Sequence, residues 1–162
     1  MLAGALLLGG CASSEEATIL TAEERFARAK TLYDDGDYLE AINEFTVITL
    51  QYQGSALADD AQFYLGETRF AREEYLLASF EYQQLIRNMS ASPLVPDARY
   101  KIGVCYYRLS PKSLLDQQYT TRAIDALQSF VEYHPAHPSV PACFQQMTGT
   151  VDRNRAKRRE WS

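Results

Sequence analysis

A spacing of 37 residues runs through this chain and constrains its fold more than any other feature. Phe26, Phe63 and Tyr100 stand 37 apart, as do Ala29, Gly66 and Gly103, and as do Tyr33, Phe70 and Tyr107. A second set repeats at the same interval: Tyr38 with Tyr75, Ala41 with Ala78, and Phe45 with Tyr82. In the third copy this second set is displaced by eight residues, to Ala123 and Leu127, after an insertion around Pro111 to Thr120. A fixed period of this length marks stacked supersecondary units, none of which can bury its apolar face alone.

Each unit reads as two helices. Phe26, Ala29, Leu32 and Tyr33 keep helical spacing, and the helix ends at DDGD, where Gly36 can take a left-handed cap. A second helix from about Tyr38 to Tyr52 carries Ala41, Ile42, Phe45, Ile48 and Tyr52 along one stripe. Small residues at Ala29, Gly66 and Gly103, and at Ala41, Ala78 and Ala123, let paired helices approach closely. The predicted architecture is an all-α solenoid of about seven helices, with repeats at about 21–56, 57–94 and 95–138. Residues 139–162 are expected to form a partial fourth-repeat helix, starting near Ser139, and a basic tail.

The net charge of −5 conceals two regions of opposite sign. Residues 1–150 hold 11 basic against 19 acidic residues, whereas 151–162 hold five against two. An acidic body argues against nucleic acid as a partner, because binding phosphates needs a basic face. The tail RNRAKRR reads as a solvated terminus.

The first ten residues, MLAGALLLGG, are apolar but far short of the roughly 20 residues of a membrane span. Leu2 to Leu8 match the apolar core of a secretory signal, and Leu8-Gly9-Gly10-Cys11 resembles a bacterial lipoprotein box. Small residues before the cut fit the peptidase, and the thiol of Cys11 would take the lipid. Residues 1–10 are therefore expected to be a signal and 11–20 a polar tether. Ala12 in place of Asp after the cysteine resembles sorting to the outer membrane. No Lys or Arg precedes the apolar run, so translation either starts upstream or uses a degenerate signal.

Catalytic chemistry is thin. His134, His137 and Cys143 offer three zinc-ligand types but stand among prolines without a fourth ligand. Phosphate-loop and nucleophile-elbow motifs are missing, and DDGD lacks the alternating acids of a calcium loop. The expectation is a non-enzyme without metal or cofactor. Cys105, within GVCYYRL, reads as a small buried hydrophobe, while a disulfide between Cys105 and Cys143 stays open.

The repeats resemble tetratricopeptide repeats, best in GDYLEAINEF at 36–45. In such arrays the first helices of successive repeats line a concave groove. That resemblance implies four ladders on one face: Glu23, Asp60 and Asp97; Phe26, Phe63 and Tyr100; Lys30, Glu67 and Val104; and Tyr33, Phe70 and Tyr107. Two aromatic ladders with an acidic edge suit an extended peptide bearing aromatic or basic side chains. The same rings can instead pack helix on helix, and several are expected to do both.

Lipobox, tether and long-period repeats together resemble the BamD family of outer-membrane β-barrel assembly lipoproteins. The resemblance rests on AEERFARAKTLYDDGDYLEAINEFTVI (22–48), RYKIGVCYYRL (99–109) and LLDQQYTTRAIDALQSFVEYHP (114–135). Within the last, Asp116, Gln117, Tyr133 and Pro135 match a family phrase. The resemblance implies a lipid-anchored scaffold on the periplasmic face of the outer membrane. Its implied partners are the barrel-assembling pore protein, the other assembly lipoproteins and precursor segments of outer-membrane proteins. Family members carry more repeats, so a chain shortened after its third repeat is expected. The alternative is another periplasmic tetratricopeptide lipoprotein, coordinating envelope growth or division.

Overall fold

In the computed structural model, residues 20–110 and 117–149 are described. The expected signal, Cys11 with its tether to residue 19, the middle of the insertion with Asp116, and the basic tail lie outside the described residues. Among the described residues there are seven helices and no strand: α1 (Ala22–Asp35), α2 (Tyr38–Gln51), α3 (Ala58–Ala71), α4 (Tyr75–Asn88), α5 (Val95–Leu109), α6 (Gln118–Tyr133) and α7 (140–149). From α1 to α6 each helix packs on the next in the chain.

The helix ends follow from local chemistry. Thr21 caps α1: its hydroxyl accepts from the Glu24 N–H at 3.2 Å, and the Glu24 carboxylate accepts from the Thr21 N–H at 2.9 Å. Gly36 ends α1 in the left-handed region at φ 87°, and the Asp37 N–H then reaches the Leu32 carbonyl at 2.8 Å. One period later the same closure is made by Glu73, at φ 62°, with the Glu74 N–H on the Arg69 carbonyl at 2.9 Å. A side chain in that region is strained, so the second turn keeps the geometry of the first at some cost.

The connections between repeats are copies of one another. Ala58, Val95 and the N–H of Val140 each bond back three residues, to Ser55, Ser92 and His137. Side chains at those same three positions accept from the N–H of Leu57, Leu94 and Ser139. The interval is 37 residues between the first two and 45 to the third, so the eight-residue displacement persists into α7. α7 is thus a fourth first-helix. Ala61, Ala98 and Cys143 share one buried rung, which makes Cys143 a small-residue substitute at a close helix approach.

The core is a row of seams. Ala29, Ala41, Phe45, Ile48, Ala61 and Leu65 form the first. Ala78, Tyr82, Leu85, Ala98 and Cys105 form the second, and Leu127, Phe130 and Cys143 the third. The small-residue ladder has a direct cause. A Cβ on Gly66 would stand 2.5 Å from the Tyr82 ring, and one on Gly103 2.6 Å from Leu127. Only glycine lets those side chains lie flat on the first helix.

Candidate functional site

The four predicted ladders lie along α1, α3 and α5, whose side chains meet at Tyr33 with Tyr64 and at Glu67 with Lys101. Each ladder has a different fate there. Glu23, Asp60 and Asp97 all sit in the first turn of a first-helix, where a carboxylate is favoured by the exposed N–H groups. Glu23 is exposed; Asp60 is half-buried, and burial, reinforced by neighbouring Asp59, raises its pKa. Asp97 lies 3.4 Å from the His137 imidazole of the following connection.

Phe26, Phe63 and Tyr100 are half-buried and pack against second helices. Phe26 meets Phe45 edge-on at 5.7 Å, Phe63 meets Tyr82 at 5.6 Å, and Tyr100 meets Phe130 at 5.6 Å. These rings are mainly cement between helices. Tyr33 and Phe70 lie further along the helices, against Tyr38 and Tyr75, the first residues of α2 and α4. Tyr107 is half-buried at the equivalent position of α5, with the α7 terminus close by at Gly149.

The mixed ladder separates into three environments. Val104 is buried and belongs to the core rather than to a surface a partner can touch. Glu67 accepts hydrogen bonds from the Tyr82 hydroxyl and, at 2.7 Å, from the Lys101 ammonium. Lys101 also stands 5.1 Å over the Phe70 ring, so one half-buried network pins the second repeat to the third. Burial and the adjacent Glu67 carboxylate drive the Tyr82 phenol far above its ordinary pKa, which keeps it a donor. Lys30 has no such carboxylate rung. Its Nζ stands 4.2 Å from the Tyr64 centroid and 4.8 Å from that of Tyr33, with the exposed Asp34 carboxylate at 3.1 Å.

Three features of this region have no counterpart in the ladders predicted from the sequence. Tyr64 is the hub of the first seam, touching Phe26, Tyr33 and Phe63 edge-on and stacking on Phe45 at 5.8 Å. Its equivalents at 37 residues are Ala27 and Lys101, so periodicity hides it. Lys101 is missed for the same reason. Glu44 and Glu81 are a true 37-residue pair: Glu44 binds Arg25 at 2.8 Å, and Glu81 accepts from Gln62 at 2.9 Å and from Arg69 at 3.0 Å. That period was available to find them.

The other chemistry resolves into structure. His137 accepts the Ser139 N–H at Nδ1 and packs edge-on against Phe130 at 5.1 Å. Cys105 and Cys143 are buried free thiols in separate seams, and desolvation pushes the Cys105 pKa up to about 12. No group of three metal-ligating side chains is found among the described residues. A second surface lies between α2 and α4: a cleft of about 290 Å³ rimmed by the exposed Leu50 and Phe80. Its floor side chains, Gln62, Arg69 and Glu81, are bonded to one another. No helix among the described residues is long and apolar enough to cross a membrane.

A protein-family model described as YfiO, Outer membrane lipoprotein, matches residues 20–149. No curated protein matches the chain. The family match spans the whole repeat region, and the chain belongs to this outer-membrane lipoprotein family.

Proposed function

We propose that this family member is a non-enzymatic scaffold of the outer-membrane β-barrel assembly machinery, held on the periplasmic face of the outer membrane by lipid on Cys11. The observation that carries this reading is the outer-membrane lipoprotein match over residues 20–149, laid on a structure of stacked helices. Repeat arrays work by presenting extended surfaces to partners, and large aromatics supply contact area at low entropy cost.

In this reading the face of α1, α3 and α5 receives extended segments of outer-membrane protein precursors. Phe26, Tyr33, Phe63, Phe70, Tyr100 and Tyr107 line it, and Glu23, Asp60 and Asp97 bias it towards basic side chains. The assembly pore protein and the accessory lipoproteins are its standing partners. The experiment is affinity capture of the lipidated protein from envelope extracts. Recovery of the barrel-assembly pore protein supports the proposal. Recovery of envelope-growth or division proteins instead overturns it in favour of a different periplasmic adaptor. For the anchor, Cys11→Ala should release the chain from membranes, and unchanged sedimentation would overturn that part.

A further inference from the structure

The ring corner that holds Lys30 has the construction of a ligand site. Tyr33 comes from α1 and Tyr64 from α3, and their rings stand 5.8 Å apart at 71°, forming two near-perpendicular walls. An ammonium sits in that corner, 4.2 and 4.8 Å from the two centroids, and Asp34 closes it at 3.1 Å. Two ring faces and a carboxylate around one cation is the arrangement by which proteins recognise cationic groups.

Two observations separate this corner from ordinary packing. First, its occupant can leave without stranding a buried charge: the Asp34 side chain is 63% exposed and the Lys30 side chain 27%. At the next seam the reverse holds, because Glu67, 16% exposed, would lose its cation if Lys101 withdrew. Second, the walls are fixed without the lysine. Tyr64 stacks on buried Phe45 and meets Phe26, while Tyr33 rests on Tyr38. A corner with rigid walls and a removable occupant is preorganised for exchange.

We propose that Tyr33, Tyr64 and Asp34 form a binding site for a cationic side chain, guanidinium or ammonium, of a partner segment, and that Lys30 is its built-in competitor. The chain's own lysine shows which chemistry the corner accepts. The proposal deepens the reading of the first-helix face as a peptide surface and rests on it for the identity of the partner. A partner arginine displaces the Lys30 ammonium into solvent, so weakly basic segments are turned away and only well-placed cations hold.

Methylguanidinium alone is the direct probe, followed on the Tyr33 and Tyr64 ring resonances of the full chain in detergent. In Lys30→Gln these resonances should move saturably, with an affinity about three- to tenfold above wild type, as expected for gaining one partly desolvated cation–π site. Lys30→Met should behave like Lys30→Gln, and Lys30→Arg like wild type. Equal responses in wild type and Lys30→Gln, or no movement at Tyr64 in either neutral variant, would overturn the site. A second arm uses an extended peptide alternating Tyr and Arg. If it perturbs Phe63 and Phe70 equally with Arg replaced by Gln, and equally in Lys30→Gln, the corner is refuted while the peptide face stands. If methylguanidinium fills the corner but no peptide perturbs the face, the site stands and the peptide reading fails.

Discussion

The two lysines of the first-helix face invite comparison, because each covers an aromatic ring at a junction between repeats and they behave differently. Lys30 spans the first seam by lying over Tyr33 and Tyr64, with the exposed Asp34 as its carboxylate contact. Lys101 spans the second by bonding Glu67, which also holds the hydroxyl of buried Tyr82. The first junction is closed by rings, the second by a half-buried ion pair. Rings keep their packing when a charge leaves; a half-buried carboxylate does not. The same repeat can therefore build one seam that tolerates exchange and one that locks.

The largest expected effect falls on the locked seam. Glu67→Ala removes the acceptor of the Tyr82 hydroxyl and the partner of Lys101, and should lower stability by about 2–4 kcal/mol in urea unfolding. Lys30→Gln in the same assay should cost only about 0.5–1.4 kcal/mol, the free energy that a three- to tenfold competition represents. Equal losses would erase the distinction between the seams.

Gly66→Ala presses a methyl group into the Tyr82 ring and should cost about 1–3 kcal/mol. The first seam already carries a side chain at that rung, Ala29, fully buried. Glu73→Gly acts in the opposite direction. It relieves a left-handed side chain where the first repeat has Gly36, and should raise stability by about 0.5–1 kcal/mol.

The locked seam also carries a pH signature. Burial is the chief cause of the raised Cys105 pKa; nearby Glu67 adds to it and Lys101 opposes it. A group whose folded pKa lies above its unfolded value stabilises the fold below the unfolded value, here 9.0, and ceases to as pH rises towards about 12. Stability should decline across that window, less so in Cys105→Ala. Iodoacetamide should fail to label native Cys105 below pH 9.0, and Glu67→Ala should admit it by loosening the seam.

Much of this was legible in the sequence because it follows from one repeated unit. The 37-residue period placed the helix pairs, the Gly36 cap and the glycines under Tyr82 and Leu127. Periodicity also set its own limit. Tyr64 and Lys101 occupy one rung in successive repeats, with different side chains and different partners, so no ladder points to either. Val104 completes a ladder in sequence but is buried in space, because the third repeat fills that rung with an apolar side chain. His134 and His137 stand in the third copy of the connection between repeats, with Cys143 in the helix that follows. His137 acts there as Ser55 and Ser92 do, which the period shows only once the shift to 45 is recognised.

The central claim is that partners bind on the face of the first helices and not on the exposed apolar residues of the second helices. Photo-crosslinking in intact envelopes tests it most directly, with the reactive residue at Phe70 on one face or at the exposed Leu76 on α4. The account predicts adducts with outer-membrane protein precursors from position 70 and none from position 76. Precursor adducts from Leu76 with none from Phe70 would contradict it.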